Sequence, residues 1–170
     1  MLPEDVGQHA AHHARIRELI TGGAVHQALE LIHVLELTGL DLSGVMLQGC
    51  VLSGAILRGG TLRGANLSGA DLTRADLREA DLRDADLGGI NLSFADLRGS
   101  NLTGAALMVA DLRGADLRGA RMVGTTFMGC RLHGTDVRGS DLSAVRVVQA
   151  RLEDTRWDQQ THWPPGHAPR

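Results

Sequence analysis

An apolar side chain returns at every fifth residue between Leu42 and Trp157. Of these 24 central residues 19 are Leu, and the register never slips. The five that are not Leu are Met122, Phe127, Val137, Val147 and Trp157. A short period that is kept this strictly indicates a repeat architecture, in which each unit buries its apolar side chain against its neighbours.

Two further columns accompany the central residue. Two residues before it stands a small or uncharged residue, such as Ala65 or Ala70, which we expect to be buried. Two residues after it stands Gly in 15 of the 24 units, which suits a tight corner with positive φ. Polar residues flank the central one, as in Asp76-Leu77-Arg78, and this alternation predicts a short strand with Leu inward.

Composition and charge restrict the class of protein. The 170 residues suit one domain, and two Phe, two Trp and no Tyr cannot build an ordinary core of large side chains. The formal charge of -3 gives no overall signal for binding a polyanion. Because the sequence shows neither a signal peptide nor an 18-residue apolar run, we expect a cytoplasmic protein without membrane association.

The repeating unit resembles the pentapeptide repeat family. Its form is Ala-(Asp/Asn)-Leu-x-x, as in residues 65–69 and 115–119, and the resemblance covers about two thirds of the chain. It implies an all-β solenoid, namely a right-handed quadrilateral β-helix with four pentapeptides in each twenty-residue coil. Twenty-four units would then form about six coils.

Both ends of the chain depart from the five-residue period. Residues 1–38 are predicted to form an N-terminal helical cap of two helices around Thr21-Gly22-Gly23, with the second helix across the first coil. Residues 39–158 would form the β-helix. Residues 159–170, with Trp163, Pro164 and Pro165, are predicted to form a C-terminal capping tail that folds over the last coil.

One predicted face carries two columns of opposite charge, because residues twenty apart should lie above one another. We call these columns the charged ladder: Arg58, Arg78, Arg98, Arg118 and Arg138 beside Asp76, Asp96, Asp116 and Asp136. The ladder can be a set of solvated ion pairs, or an Arg stripe that grips a carboxylate or phosphate partner. The first interpretation is favoured because paired surface charges usually contribute little.

A second face carries outward apolar side chains near the C-terminal end. This apolar patch consists of Ala106, Met108, Val109, Val123, Met128 and Val148. Such a patch indicates a buried contact, either with a partner subunit or with the C-terminal tail. Its methionines favour an adaptable contact surface, and family members that dimerise through their C-terminal ends imply a possible homodimer.

The two cysteines both occupy the column of small residues. Cys50 and Cys130 are 80 residues apart, which places them four coils or about 19 Å apart on one face. An intrachain disulfide is therefore excluded, and we expect two reduced thiols in the core.

The residues that could support catalysis are few. His9 and His13 have the i, i+4 spacing of a metal-binding pair, but a third ligand is not evident and a solvated helix face is favoured. The sequence contains no phosphate-binding glycine loop and no nucleophile elbow, and its Asp residues are spread along a rod without a cleft. We therefore expect neither an enzyme nor a bound metal or cofactor.

Two hypotheses for function follow. The favoured one is a rigid scaffold for protein–protein interaction that associates with itself. The alternative comes from the resemblance, since some pentapeptide repeat proteins imitate duplex DNA, bind type II topoisomerases such as DNA gyrase, and confer fluoroquinolone or toxin resistance.

The charge pattern argues against DNA mimicry. A mimic needs largely unpaired acids on one face, whereas here Arg follows Asp. Beyond Ala120, Arg replaces the Asp or Asn of most earlier units at residues 121, 131, 146, 151 and 156. We also expect no direct binding of nucleic acid, because acids are interleaved and no aromatic platform is evident.

Overall fold

The computed structural model describes residues 3–35 and 38–168, which begin with two helices. Helix α1 spans Pro3–Thr21 and helix α2 spans Val25–Val34. The break between them is the predicted one: Gly22 N donates to Glu18 O at 2.8 Å, and Gly23 has φ 83°. Positive φ directly after a helix is a common way to end it. In the described part of the chain, neither helix is long and apolar enough to cross a membrane.

From Asp41 onward the backbone pairs with itself at a step of twenty residues. Parallel bridges run from Asp41 with Thr61 to Asp136 with Arg156. Within the first bridge, Leu42 N donates to Thr61 O at 2.7 Å and Thr61 N donates to Leu40 O at 2.9 Å. Because twenty residues are four pentapeptides, each bridge joins equivalent units of successive coils.

Each unit contributes a single bridged residue. The sequence predicted a strand of three residues per unit, but throughout residues 38–168 the structure has isolated bridges. The reason is that the chain turns directly after the central residue: Ala65 N donates to Leu62 O at 3.0 Å, and Gly64 between them has φ 63°. Positive φ at the third residue of such a turn is the geometry of type II.

The central residues form the core. Every central Leu from Leu42 to Leu142 is buried, in one cluster that also contains the column of small residues. Trp157 is an exception, because this residue is 46% exposed. The five-residue period predicts that it is buried like the other central residues. It is exposed because, within the described residues, no later coil covers that face.

Both helices border the first coil. Their buried side chains, which join the same cluster as Leu40 and Leu42, are Ile16, Leu19, Ile20, Ala28 and Ile32. Arg17 of α1 donates to the carbonyl oxygens of Asp41 at 3.3 Å and Ser43 at 3.2 Å. The sequence predicts this contact for the second helix alone, but α1 shares it.

The C-terminal segment extends the ladder of bridges. Asp141 pairs with His162, twenty-one residues later, and Leu142 N donates to His162 O at 2.7 Å. Trp163 packs partly buried against the core. The segment therefore adds one extra residue and then continues the pairing, and its role as a cap on the last coil stays a prediction.

Candidate interaction surfaces

A hydrogen bond within each Asp or Asn unit shapes the outer surface. The side-chain oxygen before the central residue accepts from the backbone N–H two residues later, as Asn66 does from Ser68 at 3.0 Å. The same bond forms at Asp41, Asn66, Asp71, Asp76, Asp81, Asp86, Asn91, Asp96, Asn101, Asp111, Asp116, Asp136 and Asp141. This Asx geometry stabilises the turn, so much of the acidic column is structural.

This turn role of the Asp residues was not predicted from the sequence, in which the neighbouring Arg residues suggested only ion pairing. A signal was present, because Asp and Asn alternate at one position and share only the side-chain oxygen that the turn uses.

The charged ladder lies on one face, with its Asp residues ion-paired. Arg78 binds Asp76 of its own coil through Nε at 2.8 Å and Nη2 at 2.5 Å, and its Nε lies 3.6 Å from Asp96 of the next coil. The same pattern joins Arg98 to Asp96 and Asp116, and Arg118 to Asp116 and Asp136. Hydrogen bonds from Arg78 and Arg138 lower the pKa of Asp76 and Asp136.

The first rung of the ladder differs. The position two residues before Arg58 is Ile56 instead of Asp, and Arg58 pairs with Glu79 of the next coil at 3.4 Å. Because these Arg side chains are about a third to a half exposed, each pair contributes little to stability. The ladder is thus a largely neutralised face.

The apolar patch is exposed along two coil corners. Met108, Met128 and Val148 follow one another at twenty-residue steps, and Val109 stands at the corner beside Met108. Met108, Val109, Val123 and Val148 are between 47% and 67% exposed, whereas Ala106 and Met128 are partly buried. The C-terminal segment does not cover them, since residues 158–168 are included in this exposure. Among the described residues, this exposure favours a partner subunit over the tail as the occupant of the patch.

Val109 holds a strained backbone within this patch. Its φ is 54°, in the left-handed region that a β-branched residue rarely adopts. In the next coil the same corner is Gly129, where a Cβ would lie 3.1 Å from Val109 Cγ1. Strain of this kind costs about 1–3 kcal/mol and is concentrated at functional sites.

The histidines of α1 lie close together. The ring centroids of His9 and His13 are 6.1 Å apart, but in the described residues no group of three His, Cys, Asp or Glu side chains could hold a metal ion. His13 is partly buried, and burial lowers its pKa.

The two cysteines are free thiols, as expected. Cys130 is buried and Cys50 half-buried. Burial raises the pKa of Cys130 to about 11, so this thiol is protonated and unreactive at neutral pH.

Comparison with known proteins identifies the repeat. The family model for pentapeptide repeats matches in 8 copies over residues 36–74, 75–108 and 109–143. Rfr23, a pentapeptide repeat protein from the cyanobacterium Cyanothece 51142, is 29% identical with a TM-score of 0.60, over 69% of this chain and 90% of Rfr23. HetL from Nostoc sp. strain PCC 7120, a pentapeptide repeat protein involved in heterocyst differentiation regulation, is 28% identical with a TM-score of 0.52, over 76% and 74%.

A weaker likeness is to QnrB1, a plasmid-mediated fluoroquinolone resistance protein. It is 19% identical with a TM-score of 0.35, over 72% of this chain and 85% of QnrB1, which is too low to support a shared role. No curated protein matches the chain. The structural relatives and the twenty-residue bridging together give a right-handed β-helix. By its repeats and its structural relatives, the chain belongs to the pentapeptide repeat family.

Proposed function

We propose that this chain is a non-catalytic, rigid β-helical scaffold for protein–protein interaction, and that two copies associate through the apolar patch. The observation that carries the proposal is the apolar column of exposed Met108, partly buried Met128 and exposed Val148, with the strained Val109 beside it. Contiguous apolar surface on a folded rod marks an interaction site.

Rigidity follows from the backbone pairing. In an Asp unit such as residues 75–79, the N–H groups of Asp76, Leu77 and Glu79 bond to neighbouring coils. The remaining two bond within the coil, Ala75 N to Leu72 O and Arg78 N to Asp76 Oδ1. A unit with all five N–H groups bonded resists local opening, so the rod presents its faces at fixed spacing.

The two ends complete the scaffold. In this proposal α1 and α2 form a cap on the first coil, about six coils follow, and the segment after Trp157 closes the last one. End caps prevent the open coil edges from pairing with another molecule, which directs association to the sides.

Light scattering on the wild type and on a Met108→Lys, Met128→Lys double variant tests self-association. The wild type is expected at twice the 18.1 kDa chain mass, and the variant at the chain mass, because like charges would meet across a two-fold interface. A matched control changes Met46 and Val51 to Lys, since both are exposed apolar residues outside the patch. A monomeric wild type, or a variant that still dimerises, would contradict the proposal.

The DNA-mimic alternative finds no favouring observation on the charged ladder. The Asp oxygens there are bonded to Arg, so the face lacks the free negative charge that a topoisomerase would bind in place of the DNA phosphates. A gyrase supercoiling assay tests this alternative directly, and we expect neither inhibition nor protection.

A further inference from the structure

A groove runs along one corner of the rod, between the charged ladder and the adjoining face. In successive coils this corner is occupied by Arg74, Phe94, Gly114, Gly134 and Asp154. Because Gly114 and Gly134 have no side chain, this corner is open over two coils. A Cβ on Gly114 would lie 2.7 Å from Phe94 Cδ1, so the Phe94 ring covers the upper glycine. The groove has a volume of about 680 Å³, within the usual range for small-ligand sites.

Cationic side chains predominate along this groove. Its lining contains Arg113, Arg118, Arg138 and Arg156, with His133, against the two carboxylates of Asp116 and Asp136. Arg113 is itself paired with Asp111 and His133 lies 3.4 Å from Asp154, so the surplus positive charge comes from Arg156. These carboxylates already accept hydrogen bonds from Arg118 and Arg138. The Nη1 groups of both Arg residues take no part in those bonds, so they can still donate to a ligand. The groove therefore offers surplus positive charge and free donors, which suit an anion.

Arg156 gives this end of the groove its charge. It is bridged to Asp136, and the equivalent positions in the preceding coils are Asp76, Asp96 and Asp116. Within residues 38–168, Arg156 makes no ion pair with a carboxylate. The column of Asp residues therefore ends in Arg156, whose guanidinium is unpaired and borders the groove. This arrangement favours a bound anion over a structural ion pair.

Phe94 supplies an aromatic platform, which the sequence analysis did not find. Phe94 is 63% exposed, and the guanidinium of Arg74 lies over its ring at 6.0 Å from the centroid. Its backbone φ is 60°, at a corner where most units have Gly. An exposed aromatic residue that keeps a strained backbone is a functional signal, and an exposed aromatic ring is a surface on which planar bases stack.

We propose that this groove binds a phosphate monoester of mononucleotide size, with its planar base on Phe94 and its phosphate between Arg138 and Arg156. The two-coil floor spans about 10 Å, which suits a ligand with a ring at one end and a phosphate at the other. Arg is the side chain best suited to phosphate, because its planar fork can donate two hydrogen bonds at once. The site lies on a different face from the apolar patch and does not depend on self-association.

Isothermal titration of the full chain tests the site with three probes: adenosine monophosphate, ribose 5-phosphate and adenosine. Adenosine monophosphate is expected to bind at least about tenfold more tightly than either part, because it alone uses both ends of the groove. Phe94→Gly should reduce its affinity to that of ribose 5-phosphate. Arg156→Asp should weaken both phosphate probes by about tenfold or more.

Matched controls separate these effects from general ones. Glu79→Gly is the control for Phe94→Gly, because it also introduces glycine at a corner with positive φ. Arg121→Asp is the control for Arg156→Asp, because it also replaces Arg with the Asp found in other units. Neither Glu79 nor Arg121 lines the groove. Both controls should bind as the wild type does.

The proposal is overturned if the wild type binds none of the probes, if adenosine binds as tightly as its phosphate, or if the controls weaken binding as much as the groove variants. A thermal melt confirms that each variant is folded. If Arg156→Asp fails to fold, Phe94→Gly alone decides.

Discussion

At each corner of the coil, one backbone conformation decides which residues are tolerated. The glycines there have φ near 60–75°, as in Gly64 at 63° and Gly104 at 73°. Polar residues replace Gly at several corners, including Arg74, Glu79 and Asp84, while Val109 has the least suitable side chain for this region. The strain at Val109 therefore has a measurable cost.

We predict that Val109→Gly raises the free energy of unfolding by about 1 kcal/mol. The backbone strain that is removed outweighs the greater flexibility of glycine in the unfolded chain. The reverse change, Gly119→Val, should lower it by at least as much, since Gly119 has φ 66° with open space around it. Urea denaturation of the two variants provides the comparison. Equal stability of both would show that the corner conformation carries no strain.

The hydrogen bond from Asp to the turn can be separated from its ion pair. Asp81 accepts from Arg83 N at 3.1 Å and also pairs with the Arg83 guanidinium. Asp81→Asn keeps the turn bond and should change stability by less than about 0.5 kcal/mol, whereas Asp81→Ala removes it and should cost about 1 kcal/mol. Denaturant unfolding distinguishes the two variants. If Asn were as costly as Ala, charge would be the main contribution.

Much of the residue-level structure could be predicted from the sequence. The Leu and Gly columns follow from the period, because a buried position and a positive-φ corner each accept few residue types. The turn role of Asp81 was missed since its Arg neighbour suggested an ion pair, and both interactions exist. The groove under Phe94 was missed because it depends on Gly114 and Gly134, which are adjacent to Phe94 only across coils.

At the scale of elements, α1 is tied to the first coil by side chains. Arg17 donates to two first-coil carbonyl oxygens, and Ile16 is fully buried. Helical spacing in the sequence predicted both helices, but it could not say which one contacts the coil, because an apolar stripe defines a face and not its partner.

The contact of α1 should depend on pH through His13. Burial lowers the pKa of His13, with smaller contributions from His9 and His12, so the folded state favours the neutral ring. Protonation therefore costs more in the folded state. Stability is complete above the unfolded pKa of about 6.5 and falls as the pH drops below it.

Hydrogen exchange of the α1 amides checks this expectation. Exchange should be faster at pH 5 than at pH 7, after correction for the intrinsic rate, and His13→Gln should remove the difference. His33→Gln is a suitable control, because this exposed histidine lies on α2. The same pH dependence in the His13 variant would assign it to another group.

On the scale of the whole molecule, stability is shared between neighbouring coils, so position along the rod should determine the effect of a substitution. Leu97 is fully buried between coils, whereas Leu152 is only partly buried near the end. Leu97→Asp should abolish cooperative melting, because an unpaired charge would be enclosed in the core. Leu152→Asp should only lower the melting temperature. Cooperative melting in the Leu97 variant would be incompatible with the register described.

The five-residue period predicted a repeat architecture, and the resemblance to the pentapeptide repeat family implied its twenty-residue ladder. The period could not predict the end of the structure, where one extra residue pairs Asp141 with His162 and leaves Trp157 exposed. Nor does the period identify a binding partner, since the repeats define a shape that proteins with different roles share. The surfaces depend on the residues that break the pattern, such as Met108, Val109 and Phe94.

The most direct test of the proposed self-association is the rate at which peroxide oxidises individual methionines, measured by mass spectrometry over a range of protein concentration. Met108 should be protected at high concentration and become reactive on dilution, because the partner copy covers it. Met46, exposed outside the patch, should react at every concentration, and the buried Met122 at none. If Met108 reacts as fast as Met46 at every concentration, the patch is not an interface between two copies.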